Sequence, residues 1–258
     1  MRFGVGRSQG RGGVGSLMTP AIEIHDLNFR YAAAKPVLRG VTFSLDDGFS
    51  VILGANGAGK STLMGLMAGE HRPPPGTVVV GGTDVRDSSA WKRSVGWVPQ
   101  RNVFDPGERV LTFVTDVGWL RGLSRAEARS AAGEALELVG LSDRKRSRLR
   151  TLSGGMKRQA MVAAGIVHSP DVLLLDEPTA GLDPNHRAFL TGVLRRMADR
   201  GISVLMSTHV AADVEDAERV LVLDGGRIVA DSPVADLLAV HGSVDAAFRA
   251  VTAGGGAS

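Results

Sequence analysis

Cysteine is absent from all 258 residues. The chain therefore has no disulfide and no thiolate metal site, and it is compatible with a reducing compartment. Long apolar runs are missing too. None approaches the roughly 20 residues needed to cross a bilayer as a helix, so the chain cannot form a membrane pore by itself. Charge of one sign is scarce: 30 Lys and Arg stand against 27 Asp and Glu, a formal net charge of +3. That bias is too small to argue for nucleic acid. The one basic run, residues 144–150, is either a solvated connector or a contact for anionic headgroups or an acidic loop. Aromatics make up only 5%, with Tyr31 the single tyrosine. What remains is 43% hydrophobic and 22% charged, enough for one well-packed core with a possible subdomain.

The most informative stretch is Gly54-Ala55-Asn56-Gly57-Ala58-Gly59-Lys60-Ser61. It fits G-x-x-x-x-G-K-[ST], the phosphate-binding P-loop. A short apolar run, residues 50–53, precedes it, and a helical pattern over residues 62–68 follows, with Gly69 as its cap. Strand, glycine loop and helix is the context the motif requires. Glycines remove the Cβ atoms that would block a tight nest, so backbone N–H groups converge on phosphate. The helix N-terminus adds partial positive charge. On this motif Lys60 reaches the β- and γ-phosphates, Ser61 presents a hydroxyl to Mg²⁺, and Thr62 steadies the α-phosphate.

Residues 1–17 are rich in Gly, Arg and Ser, without periodicity or an apolar signal-peptide core. They read as a disordered tail, with Met18 as a candidate true start. From Ile22 the apolar positions alternate, and they alternate again from Val41 to Leu45. These are antiparallel strands leading to the P-loop strand. Tyr31 closes the first of them. It either stacks on a purine ring or packs on the sheet, and taken alone the packing role is the plainer.

Residues 111–139 switch to a helical pattern. Ser124 and Glu127 form a capping box for a helix over residues 125–139. A helical block between strands marks an inserted subdomain. Leu152-Ser153-Gly154-Gly155-Met156 then opens a helix from about Gly155 to Val167, capped by Ser153. Two glycines at a helix start suit close approach of an anion better than they suit helix propensity. Residues 172–175 are a continuous apolar run ending in Asp176 and Glu177. Such a run is a strand buried on both faces, with its acids at the carboxyl end where open α/β sheets bind ligands. Asp176 is placed to hold Mg²⁺ and Glu177 to polarise a water. Asp183 caps a helix that has Pro184 at its first position. Another buried strand, residues 202–207, ends at Thr208 and His209. A terminal hairpin, two helices and a Gly-rich tail close the chain.

Together these stretches resemble the ATP-binding-cassette ATPases, the nucleotide-binding subunits of ABC transporters. The resemblance spans about residues 20–240. Its specific part is Leu152-Ser153-Gly154-Gly155, similar to the family signature. Met156 and Ala55 depart mildly from the commonest family residues. The resemblance implies an α/β fold: a P-loop NTPase core with a mainly parallel sheet, an N-terminal antiparallel β subdomain and an inserted helical subdomain at about 101–153. It implies one ATPase domain over 19–250 between tails at 1–18 and 251–258.

The resemblance also assigns roles. Tyr31 becomes the adenine-stacking aromatic. Gln100 becomes the residue that touches Mg²⁺ or water and senses the membrane partner. Asp183 lies at the dimer interface, and His209 contacts the γ-phosphate. Catalysis falls to Glu177, His209, Lys60 and Gln100. Mg²⁺ falls to Ser61, Gln100 and Asp176. Residues 152–156 complete a partner's site in trans. The expected cofactors are ATP and Mg²⁺. The expected partners are a second cassette, identical or paired, and a separate polytopic membrane permease, at the cytoplasmic face of the membrane. The expected function is powering transport, with export favoured. The alternatives are a metal-ion importer subunit and a soluble cassette ATPase.

Overall fold

The apolar run before the glycine loop forms β3 (Phe49–Leu53), with all five residues buried. Its alternation divides the core. Phe49, Val51 and Leu53 belong to one hydrophobic cluster and Ile52 to another. The computed structural model describes residues 20–32, 35–87 and 89–254. The expected tail at 1–18 and the last residues of the expected tail at 251–258 lie outside those.

Two sheets make up the fold. The larger has six strands in the order β10-β9-β3-β8-β7-β6. Its further members are β6 (Val95–Val98), β7 (Val172–Asp176), β8 (Ser203–Thr208), β9 (Arg219–Asp224) and β10 (Arg227–Pro233). All its pairings are parallel except the closing β9–β10 hairpin. Every residue of β3, β7 and β8 is buried, so their apolar residues run consecutively rather than alternating. The smaller sheet is antiparallel, in the order β2-β1-β4-β5. It consists of β1 (Ile22–Phe29), β2 (Leu38–Leu45), β4 (Val78–Val80) and β5 (Thr83–Asp84). It packs with α1 (Lys60–Met67) on one face of the large sheet, in the Ile52 cluster.

The other face carries α4 (Gly154–Ile166) and α5 (Pro184–Ala198), with α2 (Val110–Leu120) and α3 (Arg125–Leu138) extending the same cluster. The capping box at Ser124 and Glu127 is formed in both directions. The helical stretch over residues 111–139 is two helices, because Gly122 turns at φ 99° between them. Two further boundaries move. α1 begins at Lys60 rather than at residue 62, and α4 begins at Gly154, directly after its expected cap Ser153. After α6 (Val234–His241), α7 (Val244–Gly254) carries helix into the stretch expected to be tail. Among the described residues, no helix is long and apolar enough to cross a membrane.

Candidate functional site

Sheet register assembles the site. Leu53, the last residue of β3, pairs with Thr208, and Ser207 pairs with Asp176. Strands lie about 4.8 Å apart in this direction. The P-loop, His209 and Glu177 therefore leave adjacent strands at one sheet edge, with β8 in the middle. Gly54 N–H donates to the Thr208 carbonyl at 3.2 Å, binding the loop's start to that edge.

The loop itself turns at Gly57 and Gly59, with φ of 84° and 107°. Side chains rarely adopt such angles, so glycine is required there. Gly54 has a different reason. A Cβ there would lie 2.5 Å from the Leu223 carbonyl oxygen, so backbone approaches backbone. A cavity of about 360 Å³ opens over the loop. Asn56, Gly57, Gly59, Lys60, Ser61 and Thr62 form its floor. Gly54, Ala55 and Ala58 support the loop without lining the cavity.

Tyr31 stands at one end of this cavity with Val37. The Tyr31 hydroxyl lies 3.1 Å from Thr62 Oγ1 and 3.1 Å from His71 Nε2. Its ring meets Phe29 and His71 edge to face, at 5.1 and 5.3 Å. It packs at a strand end, and it also lines the cavity and remains 41% exposed. Val37 gave no sequence signal, being one apolar residue in an irregular stretch.

Gln100 and Glu177 line the same cavity, and three candidates converge on the Glu177 carboxylate. Glu177 Oε1 lies 3.4 Å from Lys60 Nζ and 3.3 Å from His209 Nδ1. Glu177 Oε2 accepts from Gln100 Nε2 at 3.1 Å. Lys60 Nζ also donates to the carbonyls of Gly54 and Ala55, at 2.8 and 3.1 Å. Glu177 has φ 45°, left-handed for a residue with a side chain. Such a conformation costs on the order of 1–3 kcal/mol and persists only where its surroundings impose it. Here the Glu177 amide is anchored by Ser207 Oγ at 3.0 Å and the Ser207 carbonyl at 3.2 Å.

The donor set suits Mg²⁺. Ser61 lines the cavity. Asp176 is buried and accepts from Ser207 Oγ at 2.5 Å. With Gln100 these are hydroxyl, carboxylate and amide oxygens, the hard donors magnesium takes. Among the described residues no three His, Cys, Asp or Glu side chains gather into a metal cage.

Residues 152–156 stand apart, and none of them lines this cavity. Ser153 caps α4 and accepts from Met156 N–H at 3.2 Å. The two glycines differ in purpose. Nothing lies within 4 Å of a Cβ placed on Gly154, but a Cβ on Gly155 would sit 2.4 Å from the His186 ring. Gly154 leaves open space at the helix start, and Gly155 makes room for His186. That ring is fixed by Asp183, whose Oδ2 lies 2.5 Å from His186 Nδ1. Asp183 also caps α5 by accepting from the amides of Asn185 and His186. Its bonds to the His186 amide and ring hold its carboxyl below the usual range.

Changing Gly155 to Ala should therefore destabilise the fold by about 1–2 kcal/mol, since overpacking outweighs the helix-propensity gain. In a His186→Ala background the same change should be neutral or stabilising. Denaturant midpoints of the four proteins check this, and equal shifts in both backgrounds would refute it.

Arg158 escaped the sequence reading. It is buried, and donates from Nε to the Pro178 carbonyl at 3.0 Å and from its terminal nitrogens to Pro99 and Asp176 carbonyls at 2.6 Å. Burial lowers its pKa to about 10, against the opposing pull of Asp176 and Glu177. It thus stays charged at neutral pH and ties the Gln100 and Glu177 loops to α4. A polar residue inside a helix gave no warning of this.

The family pattern described as ABC transporter matches residues 38–180, more than half of the chain. The linearmycin resistance ATP-binding protein LnrL of Bacillus subtilis (strain 168) is 34% identical over 206 residues. That match covers 79% of this chain and 66% of LnrL, just under two thirds of its length. The cobalt import ATP-binding protein CbiO of Rhodobacter capsulatus is 36% identical over 232 residues, covering 86% of this chain and 81% of CbiO. A solved structure titled as the ATP binding subunit of an ABC transporter superposes with a TM-score of 0.79. It is 28% identical and covers 90% of this chain and 99% of its own.

Proposed function

The chain belongs to the ABC transporter family of ATP-binding subunits, whose ATP-binding domains are ATPases, and from that premise we propose that it hydrolyses ATP to power a separate membrane permease. The observation that carries the reading is the convergence of Lys60, Gln100 and His209 on Glu177 beside the P-loop cavity.

Phosphoryl transfer is catalysed mainly by positioning and charge stabilisation. The amides of residues 56–61 and Lys60 hold the phosphates, and Tyr31 with Val37 receives the base. Glu177 accepts a proton from the attacking water, oriented by Gln100, while His209 faces the γ-phosphate. Ser61, Asp176 and Gln100 would hold Mg²⁺, which would supply positive charge to the phosphates. Ser153 and Gly154, at the start of α4, complete the site of a second cassette whose own helix returns the service. Asp183 meets that second cassette beside them. The permease places the pair at the cytoplasmic face of the membrane, as peripheral subunits.

Export is the direction we favour, supported by the relative named for linearmycin resistance. Import is the second reading, supported by the cobalt import relative. Inverted membrane vesicles carrying the chain and its permease should take up an amphipathic antibiotic only with ATP. ATP-driven cobalt uptake by right-side-out vesicles, with no antibiotic transport, would reverse the direction. Full ATPase activity with no membrane protein ever co-purifying would favour the soluble alternative.

A further inference from the structure

Asp213 is fully buried, at the end of a single helical turn after β8. It lines no part of the nucleotide cavity. Its Oδ2 accepts two hydrogen bonds from well-separated parts of the chain. One comes from Thr179 Oγ1 at 2.7 Å, two residues beyond Glu177. The other comes from Thr208 Oγ1 at 2.5 Å, one residue before His209. Thr208 Oγ1 in turn accepts from the Val210 amide at 3.1 Å, which shapes the turn on the other side of His209. A third arm reaches α5, the helix capped by Asp183: Arg187 Nε lies 3.6 Å from Asp213 Oδ1. That separation is too long for a hydrogen bond, and both atoms lack a hydrogen-bond partner among the described residues.

Stability does not explain this arrangement. A buried carboxylate with one oxygen short of a donor is costly, and an apolar side chain of similar size often serves stability as well or better. What the carboxylate adds is a shared acceptor for two loops that must keep register with each other. From this geometry we propose that Asp213 is a positioning residue, locking the Glu177 loop to the His209 segment, with Arg187 as a looser link to α5. The proposal rests on the function given above. Glu177 Oε1 and His209 Nδ1 are 3.3 Å apart, and each sits within two residues of a threonine bonded to Asp213. Loss of the acceptor frees both segments at once without touching any group that lines the nucleotide cavity.

The test is steady-state ATPase kinetics of the full chain. Misplacing catalytic groups by about 1 Å costs up to about 10²-fold. Asp213→Ala should lower kcat by about 10- to 100-fold and leave KM for ATP within about twofold. Asp213→Asn keeps a carbonyl oxygen able to accept both hydroxyls, so it should restore most of kcat. A merely structural role predicts instead that kcat falls with the folded fraction and that Asn does no better than Ala. Unchanged kcat in folded Asp213→Ala, or no rescue by Asn, overturns the proposal. If Asp213→Ala does not fold, Thr208→Val decides: it should lower kcat at constant KM, and wild-type kcat in that variant overturns the proposal. A wild-type chain that binds but never hydrolyses ATP sinks the functional reading and this one with it. An active wild type with an equally active Asp213→Ala sinks this one alone.

Discussion

Replacing Glu177 with Gln should lower ATP turnover by roughly 10²–10⁴-fold, the range for losing a general base, while nucleotide binding stays intact. The side chain keeps its length, and the left-handed backbone at φ 45° is set by Ser207 rather than by the carboxylate. The fold should therefore tolerate the change. What is lost is a group able to accept a proton from water. The substitution also removes a negative charge from a buried position 3.4 Å from Lys60 Nζ. Bound γ-phosphate then meets less repulsion, so the variant should accumulate as an ATP-bound dimer. Single-turnover hydrolysis and gel filtration with ATP measure the two effects. Near-normal turnover would sink the assignment of Glu177 as base.

The second large effect concerns the separation between two anion sites on one chain. Gly154 faces open space at the start of α4, and none of residues 152–156 lines the P-loop cavity. A helix N-terminus with an unobstructed glycine suits an anion, and this one is expected to serve the cavity of a second copy rather than its own. Two copies related by a two-fold axis satisfy both, because each supplies what the other lacks. Ser153→Arg should block phosphate approach at α4 and spare the mutant's own P-loop. Lys60→Ala should do the reverse, removing a buried ammonium whose partners are the Gly54 and Ala55 carbonyls and Glu177. Each alone should lose at least about 10²-fold in turnover, the scale for removing one preorganised charge-stabilising donor. Mixed, they should form heterodimers with one intact composite site and recover part of the activity. Full activity of Ser153→Arg alone, with monomers in sedimentation with and without ATP, would refute shared sites.

Legibility of the chain followed the reach of its interactions. The P-loop, the capping box at Ser124 and Glu127, the Asp183 cap and the Asp176-Glu177 strand end were all readable in advance. The two caps are completed by hydrogen bonds to neighbours along the chain, and the P-loop and the strand end show in a short run of residue types. Tyr31 was ambiguous because stacking and packing demand the same residue type. A second reason for Gly155, the room it leaves for His186, was not readable because that neighbour arrives from a different helix.

The sequence by itself determined the alternation of strands and helices, the phosphate loop, the pair of acids and the helix starts, because periodicity and capping act over three or four residues. Only the tertiary structure decided that Gln100 and Glu177, 77 residues apart, would share a hydrogen bond. It likewise decided that Arg158 would reach the carbonyls of two loops, and that Asp213 would sit between the two threonines. These contacts depend on β7 lying between β6 and β8 in the sheet. That order is fixed by how whole strands bury their faces and cross over, and no short run of residues carries it.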